Sequence, residues 1–219
     1  MSSAPILLEA GLVVDGSGGP SWPGDVLLVD DRIARVGEQL RTRLPEGIVA
    51  EDLEVLDCRG LVIAPGFIDA HTHDDAIVLD TPAYLAKLSQ GITTVVTGNC
   101  GISLVPYVTD AARPPLNLLG AGSFRHPTMQ AYRDAVTAAR PALNVVALVG
   151  HTTLRFAAVA DLARAATADE RARMAALLEA CMADGAHGFS SGLFYEEAYA
   201  APADEVVEVQ SRARAALRA

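Results

Sequence analysis

Hydrophobic and polar positions alternate with two different rhythms along the chain. Up to about residue 60 the apolar runs are short and separated by turn residues: Ile6–Val14, Val26–Val29, Ile33–Val36 and Glu54–Cys58. Gly16-Ser17-Gly18-Gly19-Pro20 parts the first two, and Asp30-Asp31 parts the second and third. Two aspartates between apolar runs suit a hairpin, because their side chains hydrogen-bond nearby backbone. From Leu61 the rhythm lengthens. Leu61–Ala70 is almost continuously apolar, the pattern of a strand buried on both faces. Pro82–Gln90 has helical spacing and meets Gly91, a residue suited to ending a helix. Ile92–Thr97 reads as a strand, Thr128–Arg140 as a helix stopped by Pro141, and Asn144–Val149 as another strand. Thr167 and Glu170 have capping-box spacing at the head of a helix running to Asp184, with Gly185 beyond it. His187–Ser191 predicts a fourth strand, and Asp204–Ala219 a last helix entered after Pro202.

Strand and helix therefore alternate about four times after a β-rich start, which predicts an α/β fold with a parallel sheet. A complete (β/α)8 barrel takes roughly 250 residues, whereas about 160 follow the β-rich start, so four βα units fit and eight do not. The expected organisation is residues 1–60 as a small β-rich segment and 61–219 as either an open sheet of another kind or the first half of a barrel.

Composition narrows the function. The chain has 219 residues, 51% hydrophobic and 20% charged, the balance of a folded protein. Seventeen Lys plus Arg against 27 Asp plus Glu leave a net charge of −10, which argues against nucleic-acid partners and anionic membrane surfaces. No apolar run approaches the ~20 residues of a membrane span. Residues Met1–Glu9 carry no Lys or Arg before their apolar stretch, so no secretory signal is expected. Cys58, Cys100 and Cys181 are too few and too scattered for a disulfide framework, and a cytoplasmic location is expected.

The densest chemistry lies in Pro65-Gly66-Phe67-Ile68-Asp69-Ala70-His71-Thr72-His73-Asp74-Asp75. Alternate residues of a strand share a face, so His71 and His73 present two imidazoles together where an apolar strand ends. Imidazole ligates zinc and other borderline metals, and α/β barrels build their sites at that end of the sheet. The alternative is a pair of exposed loop histidines. Gly98-Asn99-Cys100-Gly101 ends the second strand, where Cys100 is either a metal-ligating thiolate, able to bridge two ions, or a buried free thiol. His151, in Val149–Arg155, contacts metal or substrate or is a satisfied structural histidine. Gly188–Tyr195 leads out of the fourth strand and can line a pocket, with Tyr195 as a polar handle. It is no nucleophile elbow, since Gly-x-Ser-x-Gly is absent. Asp74 and Asp75 either cap the following segment or orient a histidine. Gly16–Gly19 reads as a turn, Cys58 and Cys181 as packing, and His126 as a loop residue.

These motifs resemble the amidohydrolase superfamily, and within it the N-acyl-D-amino-acid deacylases (D-aminoacylases). The resemblance rests on Val14-Asp15-Gly16, Pro65–Asp75, Gly91–Ser103, Gly150–Arg155 and Gly188–Val206. His-Thr-His-Asp-Asp paired with Gly-Asn-Cys-Gly is its specific part, since His-x-His alone indicates only the wider superfamily. The resemblance implies a metal-dependent (β/α)8 barrel with a small β-domain built from both chain ends. It implies zinc, one or two ions, with His71, His73 and Cys100 as ligands. Asp69 is then placed behind the first histidine, and Asp75, Asn99, His151, Ser191 and Tyr195 support the site or bind substrate. The implied reaction is hydrolysis of N-acyl-D-amino acids by metal-activated water. The family's remaining histidine ligands and its general-base aspartate are expected beyond residue 219, so the resemblance implies no catalytic base in this chain. A complementary C-terminal half or a homo-oligomer is the implied partner. Two alternatives stand beside this one: a non-catalytic half-barrel acting as an assembly partner, and a cyclic-amide hydrolase acting on hydantoins or dihydropyrimidines.

Overall fold

A computed structural model describes residues 4–120 and 122–216, with side chains as far as residue 212. The chain divides into two compact units at Pro65/Gly66.

The first unit is a five-stranded sheet. Strands β1 (Ile6–Val13), β2 (Trp22–Val29) and β3 (Arg32–Gly37) are antiparallel neighbours, while β4 (Glu54–Asp57) and β5 (Val62–Ile63) both run parallel to β1. Val29 pairs with Arg32, so Asp30-Asp31 forms the two-residue hairpin turn, with Asp30 at φ 51°. A bulge interrupts β1 between Leu8 and Gly11. The extra residue reverses which side of the sheet odd positions face. Leu7 therefore packs with Leu27 and Leu40, while Val13 packs with Val26, Cys58 and Ile63. Asp25 secures the bulge, accepting the Ala10 N–H at 2.8 Å and the Leu40 N–H at 2.9 Å.

The second unit is a four-stranded parallel sheet in the order β6 (Phe67–Asp69), β7 (Ile92–Thr97), β8 (Asn144–Gly150), β9 (Gly188–Ser190). Neighbours in the sheet are neighbours in the chain, which is the arrangement of a barrel arc and not of a doubly wound sheet. Every residue of Ile92–Thr97 is β-branched, which favours the pleated conformation. Helices α1 (Ile77–Asp80) and α2 (Leu85–Leu88) follow β6, α3 (Met129–Ala139) precedes β8, α4 (His151–Ala158) and α5 (Ala168–Ala183) follow it, and α6 (Glu196–Tyr199) and α7 (Ala203–Ala216) follow β9. The α5 sequence is rich in Ala, Leu, Met, Glu and Arg, strong helix formers, and its Thr167–Glu170 capping box is complete. Phe124, Met129, Val149, Leu154, Met174 and Leu178 form the centre of the core. Among the described residues no helix is long and apolar enough to cross a membrane.

Several expectations change here. The apolar run Leu61–Ala70 is not one buried strand. It is divided by Pro65-Gly66, with Val62–Ile63 in the first sheet and Phe67–Asp69 in the second. Phe67 and Ile68 are 64% and 65% exposed, because β6 is paired on one side only. An unbroken apolar stretch has no period from which to read two short strands. The helix expected over Pro82–Gln90 contracts to Leu85–Leu88, and α1, α4 and α6 arise where none was read. The helix expected over Asp204–Ala219 begins at Ala203, and its last three residues lie outside those described.

One buried polar cluster ties the helices together. Arg155, on α4, is fully buried, and its Nη1 donates to Glu205 Oε1 on α7 at 2.5 Å. The remaining Arg155 donors reach the carbonyls of Glu197, Leu162 and Arg164. Glu205 Oε2 accepts the Ala166 N–H at 2.8 Å, and its Oε1 lies 3.2 Å from His151 Nε2. Burial pushes the Glu205 carboxyl up, but the hydrogen bonds from His151, Ala166 and Arg155 outweigh it and hold it at about 2, below the ordinary 4.5. A depressed carboxylate contributes stability above its unfolded pKa and loses it as the pH falls through the folded value. Glu205→Gln strands the Arg155 charge and should cost about 3–5 kcal/mol near neutral pH. Urea unfolding should show the gap from the parent widest above pH 4.5 and closing towards pH 2. A gap independent of pH would show that the Glu205 charge is not what the cluster uses.

Candidate metal centre

His71 and His73 follow β6 directly, and Cys100 lies in the loop that leaves β7. Parallel pairing of β6 and β7 therefore delivers all three to one edge of the sheet. One ligand-type atom from each lies within 4.8 Å of the other two. His71 Nε2 stands 3.0 Å from Cys100 Sγ, and the two imidazoles meet edge to face with centroids 5.9 Å apart.

The Cys100 loop is held by close backbone approach. Gly98 has φ 77°, a left-handed conformation, and a β-carbon there would stand 2.2 Å from the Leu148 carbonyl oxygen. A β-carbon on Gly192 would stand 2.1 Å from the Cys100 carbonyl oxygen. Cys100 itself is drawn to φ 54°, uncommon for a residue with a side chain. Ser190, at the end of β9, spans the loop: its Oγ accepts the Gly101 N–H at 3.0 Å and donates to the Gly98 carbonyl at 2.5 Å.

The other residues singled out in the sequence take different places. Asp75 is 2% exposed, and its Oδ2 accepts the Gly98 N–H at 3.2 Å. Burial pushes its carboxyl up to about 7. Asn99 donates to the carbonyls of Val96 at 2.8 Å and Thr72 at 3.4 Å, so its amide serves the two loops. Asp69 accepts the His71 N–H at 3.3 Å and pairs with Lys87. Tyr195 is half-buried and hydrogen-bonded to the Cys100 side chain, and burial with the neighbouring thiol raises its phenol. Ser191 is exposed beside Ser190. His151 is not brought to the cluster. It is fully buried on α4, edge-on to Phe189 and paired with Glu205, because the chain turns into a helix as β8 ends.

Ser190 and Lys87 were missed. Ser190 lies in the Gly188–Tyr195 motif and, as a last strand residue, follows the period-two logic applied to His71 and His73. Nothing in the sequence marks Lys87, one polar position of a short helix.

The donor set suits a divalent metal of borderline softness. Two imidazoles and a thiol are the ligands zinc takes in proteins. Burial, then the charge of His71, lowers the His73 pKa and favours the neutral imidazole that ligates metal. His73 Nδ1 is buried without a hydrogen-bond partner, polar capacity that a bound group could take up. The residues present therefore fit a metal ion.

Comparisons with known proteins give the family. The model of the amidohydrolase family matches residues 54–219. The N-acyl-D-aspartate deacylase of Alcaligenes xylosoxydans xylosoxydans is 46% identical over 209 residues, covering 95% of this chain and 40% of that protein. A solved D-aminoacylase, studied for the functional role of its binuclear metal centre, superposes with a TM-score of 0.88 at 43% identity, over 96% of this chain and 43% of that one. The N-acyl-D-glutamate deacylase of Bordetella bronchiseptica, solved with zinc and a phosphonate mimic of the tetrahedral intermediate, gives 0.83 at 39%, with the same coverage. The chain spans about two fifths of the length of the curated relatives it matches.

Gly98→Ala should cost about 2–4 kcal/mol, combining a left-handed alanine with a backbone collision. Urea unfolding reads it directly, and an unchanged midpoint would show that Leu148 does not confine the loop.

Proposed function

Because this chain belongs to the amidohydrolase family, we propose that it supplies the metal ligands His71, His73 and Cys100 to the hydrolysis of N-acyl-D-amino acids. The convergence of these three side chains at one sheet edge carries the proposal. It is supported by similarity to deacylases of N-acyl-D-aspartate and N-acyl-D-glutamate. The metal proposed is zinc, the ion in the similar N-acyl-D-glutamate deacylase. One or two ions fit the proposal, since a thiolate can bridge.

Bound there, zinc supplies a Lewis acid for the scissile carbonyl and lowers the pKa of water. The chain's own residues do the rest of the holding. Burial lowers the His73 pKa, the Gly98–Gly101 loop presents the Cys100 thiol, and Asp75, Asn99 and Ser190 hold that loop in place. The Tyr195 hydroxyl, hydrogen-bonded to Cys100, is proposed to meet the substrate beside the metal, with Ser191 on the neighbouring exposed turn. The general base is proposed to come from the part of the enzyme this chain does not cover, since the chain spans about two fifths of its curated relatives. The β-rich start is assigned to a small β-domain shared with that part. A cytoplasmic location completes the proposal, with all three cysteines free.

A second reading makes this chain an assembly partner without turnover of its own. The exposure of Phe67 and Ile68 on the open side of β6 favours it, since such an edge invites another strand. The two readings separate on addition of a complementary C-terminal half. The chain alone should release no free D-amino acid from an N-acetyl-D-amino acid, and the reconstituted pair should. Turnover by the chain alone would overturn the placement of the base. Faster turnover of a hydantoin by the pair would move the substrate class to cyclic amides.

Cys100→Ala in the pair should lose tightly bound zinc and nearly all activity. Full zinc occupancy by elemental analysis of that variant would remove Cys100 from the ligand set.

A further inference from the structure

Lys87 plays no part in the chemistry proposed above, yet its position is unusual for a surface lysine. It lies on α2, a single turn of helix with no buried residue, whose Leu85 is 71% exposed. Only Leu88, half-buried against Val78, Val95 and Leu143, ties it to the hydrophobic core, which is little for a single turn. Polar contacts add to that hold. Lys87 Nζ pairs with Asp69 Oδ2 and stands 3.5 Å from Asp74 Oδ2. The three side chains are only 20%, 27% and 10% exposed, so water screens these charges poorly.

The two carboxylates bracket the ligand pair. Asp69 lies two residues before His71, and its Oδ1 accepts the His71 N–H. Asp74 follows His73 directly, and its Oδ1 accepts from the Tyr84 hydroxyl at 3.0 Å, at the head of the same helix. Asp74 Oδ2 is buried and makes no hydrogen bond, so the Lys87 charge is what offsets it. An ammonium carries three donors around one point charge and can serve two carboxylates together.

We infer that Lys87 is a positioning residue for the metal centre, clamping the His71–His73 segment at both ends through Asp69 and Asp74. The inference rests on the metal-centre reading of His71, His73 and Cys100. Without the ammonium, two neighbouring carboxylates repel each other beside the imidazoles, and the segment is free to turn its rings apart. Outer partners of metal ligands are worth about 10- to 100-fold in metal affinity.

The test is cobalt(II) titration of the 219-residue protein, following the thiolate-to-cobalt charge-transfer band and the visible bands that report ligand geometry. A charge-transfer band in the parent that vanishes in Cys100→Ser establishes the site before Lys87 is touched. Its absence from the parent, or its persistence in Cys100→Ser, overturns the metal-centre reading and this inference with it. Given the band, Lys87→Met should raise the cobalt dissociation constant about 10- to 100-fold and alter the visible bands, with Lys87→Arg recovering most of the loss. The thermal midpoint of the metal-free protein should hardly move, because methionine keeps the apolar stem of Lys87 and the Leu88 contact that ties α2 to the core is untouched. Asp74→Asn gives a second route that keeps Lys87, and its loss should not add to that of Lys87→Met in the double variant. Unchanged affinity and spectrum in Lys87→Met, or additive losses, would overturn the clamp. A Lys87→Met protein that does not fold without metal would show a structural role and overturn it equally.

Discussion

The metal centre depends on how closely backbone can approach backbone where the parallel strands end. The Gly98–Gly101 loop runs against the Leu148 carbonyl on one side and Gly192 on the other, at distances that leave no room for a β-carbon. That confinement places Cys100 in a left-handed conformation and turns its sulfur to within 3.0 Å of His71 Nε2. Wider spacing at either glycine would let the loop relax, and the thiol would lose its register with the imidazoles. The loop's hydrogen bonds to Asp75 and Ser190 can form because that approach has already fixed where its amides and carbonyls lie.

Charge is distributed to match. The most deeply buried ions of the second unit, Arg155 and Glu205, satisfy each other and the surrounding carbonyls and amides, and serve to join α4 to α7. His151 belongs to that cluster, which explains why a histidine beside a strand end is not a ligand. The residues of the metal centre are less buried and less completely partnered, with His73 Nδ1 and Asp74 Oδ2 both lacking hydrogen bonds. Polar groups left in that state are costly, and they are not confined to this edge, since His151 Nδ1 in the ion cluster also lacks a partner. The chain itself matches the amidohydrolase family over residues 54–219 and superposes on a D-aminoacylase with a TM-score of 0.88.

Much was legible from local chemistry. The β-branched run Ile92–Thr97, the Thr167–Glu170 cap and the Asp30-Asp31 hairpin form where their residues favour them, because each needs only neighbours in the chain. Strand periodicity does not account for the pairing of His71 with His73, since β6 ends at Asp69 and both lie in the loop beyond it with His71 exposed, whereas the specific His-Thr-His-Asp-Asp and Gly-Asn-Cys-Gly motifs identified the family. The failures share a cause as well. Leu61–Ala70 is apolar on either side of Pro65-Gly66, and although that dipeptide marks a turn, nothing local says that it hands the chain from one sheet to the next.

The sequence by itself determined the alternation of strand and helix, the family and the ligand-type residues, all properties of short stretches of chain. Only the tertiary structure decided which of those residues meet. It brought Cys100 to His71 across 29 positions, withdrew His151 into a buried ion cluster, and set Lys87 between two aspartates that the chain places five residues apart. Those choices depend on parallel strand pairing and on glycine-permitted backbone contact between remote segments, and neither leaves a mark on the spacing of residues along the chain.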